Sequence, residues 1–210
     1  MASQLIIMRE AAAIIKHRPP VTVSDTTEIC RLFGYEYSNV VAYCLEQGLW
    51  NFALRSIELN SDASIDPQFG YTYAFEKPSD FVRLNGMSGN GYFNPTLEEY
   101  LDEGSYWFAS IDPLYVSYVS NGVTYGLDLG KWPATFQRFV AYELAYRTAP
   151  HLTAMEAKDY NLLDQRRMRA LTDARTKDAM NQPVSRPPPG RLTTARYGSR
   201  GGLGGTPWWR

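Results

Sequence analysis

Residues 44–59 read CLEQGLWNFALRSIEL, and the fold turns on how that stretch divides. On its N-terminal side Ile29, Leu32, Phe33, Tyr37, Val40, Val41, Cys44 and Leu45 recur at helical intervals, and Gly48 supplies a stop. Asp25 and Glu28 have capping-box spacing, so a helix is predicted near 24–48. Gly34 in its middle is either a mild cost or a point of close packing. From Trp50 onward the chemistry changes. Short runs of β-branched and aromatic residues at 52–59, 70–76, 81–85, 107–111 and 114–120 alternate with Gly, Pro, Asn and Asp. Tyr71, Tyr73 and Phe75 fall on one strand face, while Tyr115 and Ser117 oppose Val116 and Tyr118. Asn121-Gly122 has the composition of a two-residue hairpin turn. Residues from about 52 to 125 therefore read as a small antiparallel β unit.

Helical spacing returns on both flanks. Leu5, Ile6, Met8, Ile14 and Ile15 among alanines predict a helix over 3–16, stopped before Pro19-Pro20. After Gly130, Pro133 suits a first turn, and Trp132, Phe136, Phe139, Val140 and Leu144 mark a buried face over 132–149, with Pro150 as its end. Thr153 and Glu156 have the spacing of another capping box, opening a long helix over 154–180 with Leu163, Leu171 and Ala174 on one side. The predicted class is α+β: a helical bundle core with an inserted antiparallel β domain within residues 1–180, and an extended C-terminal arm over 181–210. The arm contains Arg186-Pro187-Pro188-Pro189-Gly190 and Gly201-Gly202-Leu203-Gly204-Gly205, sequences that cannot build a packed core alone. It also carries Leu192, Tyr197, Leu203, Trp208 and Trp209, the kind of anchors by which an arm grips a partner.

Charge divides along the same line. The net charge of −1 combines an arm with five arginines and no acid and a body with 16 basic and 22 acidic residues. An acidic body with a basic tail suits a tail that seeks an acidic or aromatic partner, and argues against general DNA binding. With 44% hydrophobic and 20% charged residues, the chain has the make-up of a soluble globular protein. No run approaches the roughly 20 apolar residues of a membrane span, and Leu5-Ile6-Ile7-Met8 is broken at once by Arg9-Glu10, so neither a membrane nor an export signal is expected. Cys30 and Cys44 on one helix would stand roughly 21 Å apart, too far for a disulfide, and read as free core thiols.

The residues that would carry catalysis are sparse. His17 and His151 both fall in expected connections, without Cys, Asp or Glu at metal-ligand spacing. There is no G-x-S-x-G elbow, Walker loop or H-E-x-x-H helix. Gly89-Asn90-Gly91 is too short for a phosphate cradle. Glu98, Glu99, Asp102 and Glu103 read either as a solvated loop or strand edge or as paired carboxylates, but lack the alternation and glycine of a calcium loop. No enzyme, cofactor or metal is expected. Arg166, Arg167, Arg169 and Arg175 on the last helix are interspersed with Asp164, Asp173 and Asp178, a solvated or intersubunit face.

A resemblance gathers these features. Gly48-Leu49-Trp50-Asn51-Phe52-Ala53 at a helix end resembles the signature of phage head-to-tail connector proteins of the tail tubular protein A group of short-tailed phages. Phe69 to Phe75 followed by Lys77-Pro78-Ser79-Asp80-Phe81-Val82-Arg83-Leu84 is similar to that group's aromatic strand, Pro-x-Asp and Arg-Leu segment. Ala109 to Asp112 with Val116 to Val119 resembles its closing hairpin, and Phe136 to Ala145 its next helix. The order spans residues 20–190.

The resemblance implies helices carrying an inserted β domain and a virion structural protein assembled in the host cytoplasm. Its copies would form a ring, a dodecamer in that group, between portal protein and tail nozzle or hub, with DNA passing through the lumen unbound. Trp50, Phe52, Asp80, Arg83 and Phe136 would build the subunit; read as residues alone, Trp50, Phe52 and Phe136 are expected in the core, Asp80 after Pro78-Ser79 bonding a turn and Arg83 in an ion pair. Arg138 and the helix over 154–180 are candidate ring contacts. In the arm, Arg186, Arg191, Arg196, Tyr197, Trp208 and Trp209 would contact portal or a neighbouring subunit. A nucleic-acid-binding packaging accessory protein and another tail-tube subunit remain the alternatives.

Overall fold

The computed structural model describes residues 3–67, 69–93, 96–153 and 155–182. Its chain order is α1 (Gln4–Ile14), α2 (Glu28–Glu46), a 3-10 turn (Asn51–Ala53), β1 (Leu54–Leu59), β2 (Tyr73–Glu76), β3 (Phe81–Ser88), β4 (Leu101–Glu103), β5 (Tyr106–Ala109), β6 (Leu114–Ser120), a second 3-10 turn (Leu129–Lys131), α3 (Ala134–Leu152) and α4 (Ala157–Ala179). The α+β class holds: helices flank a β region inserted between α2 and α3. The arm residues Arg186, Arg191, Arg196, Tyr197, Trp208 and Trp209 lie outside the described residues.

α3 is the hub of the helical core and packs against α1, α2 and α4. Its buried residues, Phe136, Phe139, Val140, Ala141, Glu143, Leu144, Ala145, Thr148 and Ala149, cover more than one stripe, as a helix with three neighbours requires. Alanines at 141, 145 and 149 repeat every fourth residue and let a neighbouring helix approach closely. Ile7, Met8, Ala11 and Ala12 of α1 and Leu163, Leu171 and Ala174 of α4 complete this core.

Two three-stranded antiparallel sheets stand where one β unit is predicted, with strand orders β1-β6-β3 and β2-β5-β4. A second core, containing Phe75, Met87, Trp107, Leu114, Val116 and Tyr118, lies between them. β6 joins the two cores. Val116 and Tyr118 face the second sheet, whereas Val119 on the opposite face belongs to the helical core. Burial on both faces explains why β6 carries apolar or aromatic residues on each of them, interrupted by Ser117 and Ser120.

Several local expectations give way to long-range geometry. α2 begins at Glu28 behind Thr27, which forms no side-chain cap, and Asp25 instead accepts from the Val21 N–H. Thr153 closes α3 by donating its hydroxyl to the Ala149 carbonyl, so it cannot open α4, which starts behind Glu156. Pro150 lies inside the last turn of α3 rather than ending it, and the Thr153 N–H still reaches the Ala149 carbonyl. No strand follows Asn121-Gly122 to make a hairpin. Those residues tie back, Asn121 N–H to the Asp80 carbonyl and Gly122 N–H to the Ser120 hydroxyl. The two-residue hairpin is Gly104-Ser105 between β4 and β5, with Gly104 at φ +54°. The acidic run around Asp102 is thus an exposed edge strand, with Asp102 held by Lys77 and by the Trp107 indole.

Candidate functional site

Gly48 to Ala53 lies where the helical core, the β region and the end of α4 meet. Trp50 is 1% exposed; its indole N–H donates to the Cys44 carbonyl at 2.9 Å and its ring meets Phe136 edge-on at 4.8 Å. Phe52, half-buried, adds its ring to Phe136 at 4.8 Å, and Trp132 meets the same phenyl at 4.9 Å. With Phe139 at 6.4 Å, Phe136 therefore sits among four aromatic rings, in the tilted and edge-on geometries such rings prefer. Gly48 has a steric reason. A Cβ there would stand 2.9 Å from the Trp50 ring, closer than a side-chain carbon tolerates.

Two arginines close the C-terminal end of α2. Arg83 from β3 donates to the Glu46 carbonyl at 3.0 Å, and Arg175 from α4 donates to the Gln47 carbonyl through both Nε and Nη2. Cations at this end satisfy carbonyls that lack helical partners and match the helix dipole. Arg83 is thus a helix cap and, among the described residues, not a member of an ion pair. Asp178, 7% exposed, accepts from the Asn51 backbone N–H, and the Asn51 side chain donates to the Asp178 carbonyl at 2.8 Å. Burial pushes the Asp178 carboxyl up, against the Asn51 hydrogen bonds. Gln182, the last described residue, donates to the Asn51 side chain, so the arm departs from this point. A cleft of about 430 Å³ opens here, lined by Gly48, Trp50, Arg83, Arg175, Asp178 and Gln182 among others.

Asp80 organises a second polar group. It accepts from the Tyr118 hydroxyl at 2.8 Å, from Arg55 at 2.8 Å and from the Ser120 hydroxyl. Burial raises its carboxyl, but the hydrogen bonds from Ser120, Arg55 and Tyr118 outweigh it and hold the group below the usual carboxylate range. The ion pair expected of Arg83 therefore belongs to Arg55; the Asp80 carboxylate bonds β1 and β6, while its backbone carbonyl takes the Asn121 N–H of the turn after β6. A third group joins the long helices: Glu143 of α3, 2% exposed, receives Arg147 and Arg167, each at 2.9 Å. Arg167 also stacks over Tyr146 at 4.4 Å.

Of the named core residues, the structure gathers Trp50, Phe52, Arg83 and Phe136 at one junction and sets Asp80 in the sheet beside it. Arg55, Asn51, Glu143, Arg175 and Asp178 were not singled out as members of these groups. Nothing local marks them, since Asn51 and Asp178 are 127 residues apart. Among the described residues no three His, Cys, Asp or Glu side chains are grouped to hold a metal, and no helix is long and apolar enough to cross a membrane. No protein-family model matches the chain, and no curated protein matches it.

Proposed function

We propose that this chain is a virion structural protein, a phage head-to-tail adaptor whose copies form a ring between portal and tail. The observation that supports it best is the junction at Gly48–Phe52. Three of the segments carrying the resemblance meet there, 48–53, 77–84 through Arg83 and 136–145 through Phe136, on one aromatic cluster and one capped helix end. The Arg- and Trp-bearing arm leaves from that same point. The polar groups of the junction are largely engaged with one another, an arrangement that fixes the exit of a chain segment. Arg167 pairs with Glu143 and Asp164, and Arg175 caps α2, which leaves fewer cations on α4 for nucleic acid and disfavours the packaging-accessory alternative.

Electron microscopy of the full chain, alone and mixed with its cognate portal ring, tests this reading. Adaptor density on the tail-proximal face of the portal is the expected result. A portal that emerges bare at micromolar adaptor, or a chain that instead retains duplex DNA at moderate salt, would overturn it.

A further inference from the structure

The outer face of the β2-β5-β4 sheet carries a cleft of about 470 Å³ that the junction does not use. Its floor is Tyr106 and Phe108 of β5, whose ring centroids lie 6.4 Å apart, and Leu101 of β4 borders it. Phe69 stands at its mouth, 81% exposed. The charged lining residues are Asp66 and Glu103, both exposed and neither in an ion pair among the described residues, and no cation lines the cleft. The neighbouring Lys77 is already held by Asp102. An apolar aromatic floor with a purely acidic rim selects an occupant that is extended, apolar and basic.

We infer that this cleft receives the Arg186-Pro187-Pro188-Pro189-Gly190-Arg191 segment of a second copy of the chain. Consecutive prolines hold a polyproline II helix at little entropic cost, and such helices dock on aromatic-lined grooves. The arginines at the two ends of the run pair with the two carboxylates that line the cleft, Asp66 and Glu103. The charges are complementary in bulk as well: the arm has five arginines and no acid, and the body is acidic. A second copy is the occupant because the proposed ring sets copies side by side; an arm seated in its own cleft would leave the full chain monomeric. The inference deepens the ring assembly proposed above, but stands on this cleft and this segment, not on the portal.

Sedimentation velocity of the full chain over a concentration series tests it. A cleft variant, Asp66→Lys with Glu103→Lys, and an arm variant, Arg186→Glu with Arg191→Glu, should each need about tenfold more protein to associate. An equimolar mixture of the two should recover association, because the reversed arm then matches the reversed cleft. Phe69→Ser should weaken association without moving the thermal midpoint. A full chain that stays monomeric throughout, charge variants that associate like the parent, or a mixture as weak as its components would each overturn the inference. Portal binding is read separately. A chain that associates through the cleft yet ignores portal defeats only the adaptor reading, and a portal-bound chain indifferent to the charge reversals defeats only this one.

Discussion

Arg83 of β3 and Arg175 of α4 donate to the adjacent carbonyls of Glu46 and Gln47, so one helix end is closed by side chains from two other elements. The arrangement ties the β region and the last helix to the same turn of α2. Replacing both with Ala should cost about 1–3 kcal/mol, the range for losing charge-assisted hydrogen bonds at an exposed site. Amide hydrogen exchange in the last turn of α2 should accelerate in the double variant. Unchanged protection there would show the caps to be idle.

Trp50→Ala and Phe136→Ala should each destabilise the chain by about 3–5 kcal/mol, because each empties a fully enclosed aromatic site. Their rings touch, so the double variant should lose less than the sum of the two. Denaturant unfolding of the three proteins measures the shortfall. Strict additivity would mean that the ring pair contributes nothing of its own.

Asp80 gives a definite pH signature. Its folded carboxyl lies below its unfolded value, so its stabilisation is complete above the unfolded pKa of about 4 and is lost as pH falls through the folded one. Asp80→Asn should cost about 1–3 kcal/mol at neutral pH. The gap between parent and variant should stay flat from pH 8 to about 5 and close below about 4. Thermal melts across that range decide it, and a gap that widens in acid would contradict the network.

Two glycines of α2 and its exit should respond in opposite directions. Gly34 is exposed and a Cβ there meets nothing within 4 Å, so Gly34→Ala should stabilise by about 0.5–1 kcal/mol through helix propensity. Gly48→Ala should destabilise, because its Cβ displaces the buried Trp50 ring. A shift of the Trp fluorescence maximum in the Gly48 variant, and none in the Gly34 variant, accompanies the stability change.

Elements whose pattern is local are legible in the residues alone. The 3.6-residue recurrence from Ile29 to Leu45, the apolar face of α3 and the run of β6 each report a buried surface directly, because residues sharing a face must recur at the backbone period. The handover at Trp50 was legible for the same reason. Tertiary structure alone decided which partner each polar group takes. Asp25 and Thr153 have cap-like spacing, yet a cap requires the chain to turn at that residue, and the packing of α2 and α4 places the turns elsewhere. Leu101-Asp102-Glu103 lacks strand composition, and only pairing with β5 makes it a strand. Arg83 finds a carbonyl and Asp80 finds Arg55, Tyr118 and Ser120, because their distances are set by sheet register and helix docking. Periodicity encodes burial one element at a time, whereas a hydrogen bond across 127 residues exists only once both cores have closed.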